Sequence, residues 1–181
     1  MNNITLGKYR ELIDTSEYKI LEKLNPVNLL NSVEFNQEDI TYKEMRMIVA
    51  LLKNGTDWKS LHNVFKIMYG ITETDFYKRD VVEFFQCRNY VFDYIMRMQK
   101  RESSLLKSIS ADTELWRTAG GDRLNKFSNI MPLIQLGELF SIYPYDLEDK
   151  KYNEILVLLV AIKERGEVQQ AFSKLKNKTS R

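Results

Sequence analysis

An all-α fold follows from three features of the chain. Apolar residues recur at i, i+3 and i+4 spacing through most of its length. Helix starts and stops bracket these stretches. Only 7 Gly and 3 Pro occur among 181 residues, too few for the many tight turns of an all-β protein of this size. The expected class is an all-α, single-domain irregular helical bundle over residues 1–175, divisible into sub-lobes 1–109 and 110–175. One long central helix, kinked or projecting, runs through it, and residues 176–181 form a flexible basic tail.

The elements follow in order. Thr41 and Glu44 have the spacing of a capping box, in which the hydroxyl accepts from an orphan N–H and the carboxylate reaches back. Met45, Ile48, Val49 and Leu52 continue at helical spacing, and Asn54-Gly55 supplies a left-handed stop. Thr56 is placed to cap the next helix, whose stripe is Trp58, Leu61, Phe65 and Met68 and whose end is Gly70. Residues 41–69 therefore read as a helical hairpin. Thr72 and Asp75 start a short turn. The longest element is expected from Asp80 to Ile109, with Phe84, Val91, Ile95, Met98, Leu105 and Ile109 in its stripe. Such a helix is about 45 Å long, so a kink or break is expected near Gln99–Ser104, where apolar residues thin out. Ser110 or Asp112 caps a helix through Leu115, Trp116 and Ala119, stopped by Gly120-Gly121. Leu124 and Phe127 mark a short helix, and Pro132 suits the first turn of another that carries Leu133, Leu136, Leu139 and Phe140. Tyr143-Pro144 ends it. The final helix spans about Asp149 to Leu175: Tyr152, Ile155, Leu156, Leu159 and Ile162 make a stripe that Val168, Phe172 and Leu175 resume beyond Gly166.

The residue inventory excludes several chemistries. One Cys forms no intramolecular disulfide, and one His forms no multi-His metal site. His62 borders the stripe of Trp58 and Phe65, and Cys87 lies between Phe84 and Val91, so both read as packing residues rather than catalytic ones. Asp146, Glu148 and Asp149 are three carboxylates in four residues, but they lack EF-hand spacing and suit the start of a helix. Gly120-Gly121 follows a helix rather than a strand, which fits a helix stop and not a phosphate loop. No catalytic residue, cofactor or metal site is expected. The N-terminus lacks a signal-peptide pattern, and the longest apolar run, Ile155–Ile162, is far short of the roughly 20 residues a membrane span needs. A cytoplasmic setting is expected.

Two features point to partners. Phe84, Phe85, Tyr90, Phe92, Tyr94, Met96 and Met98 wrap more than one face of the long helix. Tyr90, Tyr94 and Met98 are the candidate partner-binding residues, because an ordinary surface helix shows one apolar stripe. Lys174, Lys176, Lys178 and Arg181 form the one charge run, an electrostatic tail able to neutralise about three or four phosphates. Elsewhere basic residues alternate with acids and the net charge is only +2, below the footprint of a dedicated nucleic-acid binder.

The opening Ile4-Thr5-Leu6-Gly7-Lys8-Tyr9, the Glu102 to Leu105 step, Ala119-Gly120-Gly121 and Tyr143-Pro144 together resemble small helical proteins of tailed-bacteriophage structural modules, the tail-assembly or virion accessory proteins. The resemblance implies a non-catalytic assembly or virion structural role, in the host cytoplasm or the particle. Its partners would be other proteins of the same assembly or a second copy, with nucleic acid secondary and no membrane or small-molecule substrate. The alternatives are a nucleic-acid-binding regulatory protein using the basic tail, and an enzyme whose acids converge only in three dimensions.

Overall fold

The computed structural model describes residues 4–55, 57–107 and 117–179. The fold is all-α: the described residues form helices and no strand. The chain divides into two compact units, Met1–Ile40 with Glu44–Lys100, and Thr41–Lys43 with Arg101–Arg181.

In the first unit, α1 (Leu6–Arg10) is capped by Thr5, whose Oγ1 accepts from the Lys8 N–H at 3.4 Å. Backbone bonds from Leu6 N–H to the Arg79 carbonyl at 2.8 Å and from Val81 N–H to the Ile4 carbonyl at 3.0 Å fix this segment beside the start of α5 (Val81–Leu106). A 3-10 segment, Ser16–Lys23, follows and buries Leu21. After α2 (Tyr42–Asn54), Asp57 rather than Thr56 caps α3 (Trp58–Tyr69), accepting from the N–H groups of Lys59 and Ser60 at 3.0 and 3.1 Å. Thr56 lies outside the described residues. Gly70 ends α3 at φ +65°, a left-handed conformation that glycine adopts without a Cβ clash, and donates to the Lys66 carbonyl. Thr72 caps α4 (Glu73–Lys78).

The core of this unit is aromatic. The Phe84 ring lies 5.2 Å from that of Phe65, 5.5 Å from Phe76, 5.4 Å from Phe85 and 5.9 Å from Trp58. Of the kink or break expected near Gln99–Ser104, the break is absent: helix α5 is continuous there. The residues there, Gln99, Lys100, Arg101 and Glu102, are strong helix formers, so thinning of the apolar stripe does not interrupt the backbone. Of the helix expected from Ser110 or Asp112 through Ala119, residues 110–116 lie outside the described residues, as does Ile109; Arg117 and Thr118 are helical, and the left-handed Gly120 follows at φ +82°.

The second unit gathers a 3-10 segment at Gly121–Phe127, α6 (Met131–Phe140), a 3-10 turn at Pro144–Leu147 and α7 (Tyr152–Thr179). Its core is Leu133, Leu136, Leu147, Tyr152, Ile155, Leu156 and Leu159. Tyr42 joins it: its ring stacks on Tyr152 at 6.3 Å, its hydroxyl donates to the Asn129 carbonyl and its N–H to the Lys150 carbonyl. The Tyr152 hydroxyl donates to Glu102 Oε2 at 2.9 Å.

Gly137 allows the chain to fold back after α6. A Cβ there would stand 2.6 Å from the Ile142 carbonyl oxygen and 3.1 Å from Pro144 Cγ. Gly137→Ala is therefore expected to destabilise by about 1–3 kcal/mol, because backbone must move to admit one methyl group. A lowered denaturation midpoint with unchanged slope is the expected readout.

Helix α7 departs from expectation in two ways. Its helical backbone, expected to end near Leu175, continues through Lys176 to Thr179. Val168, Phe172 and Leu175 also do not resume the buried stripe. At about 100° per residue they fall roughly opposite Ile155 and Leu159, and all three are exposed. Ile162, expected beside Leu159 in the core, is only half-buried.

Candidate functional site

The three expected partner residues of α5 have different fates. Tyr94 is 2% exposed, with its ring 5.4 Å from Phe35. It is core, and a partner does not reach it. The cause is the segment before α2. Leu30 and Val33 exchange backbone hydrogen bonds across a tight turn in which Asn31 and Ser32 both have positive φ. Asn28 then accepts from the Phe35 N–H at 3.1 Å and donates to the Phe35 carbonyl at 3.0 Å, which lays Phe35 over Tyr94. Tyr90 is half-buried, stacks parallel to Tyr94 at 6.3 Å, and accepts a 2.6 Å hydrogen bond from Gln37 Nε2. Burial raises its phenol above the usual range. Met98 is half-buried.

Tyr90 lines a shallow groove of about 510 Å³ with Pro26, Asp93, Met96, Arg97 and Lys100. Met96 is 64% exposed and is the apolar residue that α5 presents most openly. The sequence placed it among the residues wrapping the helix without singling it out. A second groove of about 660 Å³ lies between α2 and α3, lined by Met47, Ala50, Leu51 and Ile67 with Glu44 and Lys66 at its border. It went unseen because each helix was assigned a single apolar stripe, and these residues lie off it.

The second unit exposes more apolar surface. Leu139, Phe140, Ile142, Tyr143 and Tyr145 are exposed within residues 139–145, with the Tyr143 and Tyr145 rings 5.5 Å apart. This follows from the close turn at Gly137, which brings the chain back as a compact loop with its apolar side chains outward. On α7, Lys174 and Lys176 are exposed. The side chain of Lys178, and Arg181 as a whole, lie outside the described residues.

His62 and Cys87 both sit among packed side chains. His62 packs its ring 5.3 Å from Phe76. Cys87 is fully buried, and burial pushes its thiol up to about 12. Burial, with the neighbouring Cys87, also raises the Tyr69 phenol, whose hydroxyl donates to Asn28 Oδ1 at 3.0 Å. Both groups stay neutral in the fold and ionise more readily in the unfolded chain. The contribution of Cys87 is full below about pH 9 and falls as pH rises towards 12, and that of Tyr69 begins to fall only above about pH 10. Unfolding free energy is expected to drop by up to about 1.4 kcal/mol per pH unit for each group within its own window, and Cys87→Ala should flatten the slope between about pH 9 and 10. Denaturant titrations at stepped alkaline pH measure it.

Glu148 of the expected acidic cluster approaches Lys43 at 3.8 Å, and its carbonyl accepts from the Lys43 N–H. Among the described residues no group of three or more His, Cys, Asp or Glu is placed to hold a metal ion, and no helix is long and apolar enough to cross a membrane. Compared with known proteins, the chain matches no family model, no curated protein and no solved structure.

Proposed function

We propose that this chain is a non-catalytic binding protein that acts through apolar helical surface, as an assembly or virion structural component of a tailed bacteriophage. The observation that carries the binding role is the exposed run Leu139, Phe140, Ile142, Tyr143 and Tyr145. Single exposed apolar residues are ordinary, whereas five within one short stretch, two of them paired tyrosines, form a patch of the kind that partners cover. Aromatic side chains supply large contact area at small entropic cost and dominate the energetics of protein interfaces. The assembly role rests on the resemblance of Ile4–Tyr9, Glu102–Leu105, Ala119–Gly121 and Tyr143-Pro144 to phage structural-module proteins. In this reading the protein works in the host cytoplasm or the particle and needs no cofactor or small-molecule substrate. Lys174 and Lys176 steer association towards acidic surfaces.

The test is sedimentation and cross-linking of the pure protein, then of the protein mixed with structural proteins of its own source. A complex that is lost in a Tyr143→Ser, Tyr145→Ser variant supports the reading. A chain that binds no protein there but binds DNA or RNA with steep salt dependence overturns it in favour of nucleic-acid regulation.

A further inference from the structure

Helix α7 has two apolar faces. One, formed by Tyr152, Ile155, Leu156 and Leu159, is buried. Roughly 180° around the helix lie Val157, Ala161, Val168, Ala171 and Leu175, all exposed, with Phe172 alongside. Counting Glu164, the steps along this second face run four, three, four, three, four, which is the alternation of a coiled-coil seam. Val157, Val168, Phe172 and Leu175 are 61%, 67%, 68% and 64% exposed. The seam is about 27 Å long.

We infer that the C-terminal part of this face, Glu164–Leu175, pairs with the same face of a second copy of the chain, in antiparallel orientation. Charge along the helix decides both the occupant and the direction. Glu164 and Glu167 lie towards the N-terminal end of this stretch, and Lys174 and Lys176 at its C-terminal end. A parallel pair sets lysines beside lysines. An antiparallel pair with Val168 facing Ala171 of the second copy sets Glu167 against Lys174 of that copy, and Arg165 beside its Phe172. Every such contact occurs twice by symmetry. Within one chain, Lys163 lies 3.6 Å from both Glu164 and Glu167, so Lys174 of the second copy shares Glu167 with it. Ala171 keeps the seam shallow enough for the backbones to come close. A seam of this length buries less than the roughly 800 Å² per side of a standard stable complex. The dimer is therefore expected to be reversible and concentration-dependent.

This inference rests on the reading that the protein binds through apolar helical surface, and it names one partner. The experiment is sedimentation velocity of the full chain over a dilution series, with Glu167→Lys and Lys174→Glu variants. The wild-type chain should dimerise reversibly, and each variant alone should lose association at least tenfold, since like charges then meet. An equimolar mixture of the two variants should recover a heterodimer, because opposite charges again face each other at both symmetry-related contacts. Val168→Ser with Phe172→Ser should abolish association while thermal unfolding, compared at a concentration where the wild-type chain is monomeric, stays unchanged, as both side chains are exposed. A wild-type chain that remains monomeric at high concentration overturns the inference, as does a mixture that fails to recover. So does a monomer that binds phosphatidylglycerol vesicles or nucleic acid through Lys174 and Lys176. Tyr143→Ser with Tyr145→Ser should leave the dimer intact. A dimer that binds no other protein removes the assembly reading alone, and a monomer that binds such proteins removes the pairing alone.

Discussion

Phe84→Ala is expected to destabilise the first unit by about 3–5 kcal/mol. Phe84 is fully buried, and the rings of Trp58, Phe65, Phe76 and Phe85 all lie within 5.9 Å of it. Truncation removes the transfer free energy of the ring and leaves a void walled by four other rings. Those walls are rigid, and they come from α3, α4 and α5, so the void closes poorly. The contacts to Phe76 and Phe85 are edge-to-face, at 89° in each case. This geometry adds about 0.5–1.5 kcal/mol per pair beyond area burial. Denaturant unfolding of the variant measures the loss. A change below about 1 kcal/mol would show that the cluster repacks and that the core of this unit lies elsewhere. Phe84→Leu should fall between the two, since it keeps most of the volume.

Leu159→Ala should cost about 2–5 kcal/mol, and Phe172→Ala on the same helix within about 0.5 kcal/mol. Both are large apolar residues of α7, and the difference lies wholly in which way they face. Leu159 is 6% exposed among Leu133, Leu136 and Ile155 of the same core, while Phe172 is 68% exposed. The pair of variants, unfolded by urea at a concentration where the chain is monomeric, reads out the two faces separately. Equal losses at both positions would mean that Phe172 is covered in solution by the chain itself, which would remove the second seam.

Much of the helical framework is legible in the sequence, because it is written in local chemistry. Gly70 and Thr72 mark their helix ends by conformations and hydrogen bonds that involve neighbours within a few residues. The segment before α2 is not legible in this way. Its buried residues, Leu6, Leu21, Leu30, Phe35 and Ile40, are too irregularly spaced to show a helical period. Its backbone is satisfied from far along the chain, with Asn89 donating to the carbonyls of Glu22 and Leu24. That same segment buries Tyr94, so the fate of one candidate residue on α5 is decided by a loop more than fifty positions earlier. On α7 the periodicity of apolar residues is plain, but a run of them does not say whether two stretches share a face. Counting turns from Leu159 to Phe172 separates them, and only burial says which side is core.

The contribution of Tyr42 to the second unit has a bearing on how the chain matures. Its ring stacks on Tyr152 and its hydroxyl donates to Asn129. A ribosome adding about 5–20 residues per second needs roughly 5–20 s to travel from one tyrosine to the other. Throughout that interval Tyr152 has yet to be made, although every residue of the first unit is complete by Lys100. The second unit is thus discontinuous in sequence although compact in space, and its closure waits on loop formation over a long stretch of chain, a slow class of folding event. Chaperone capture during translation should therefore concentrate on nascent chains that end between these two tyrosines.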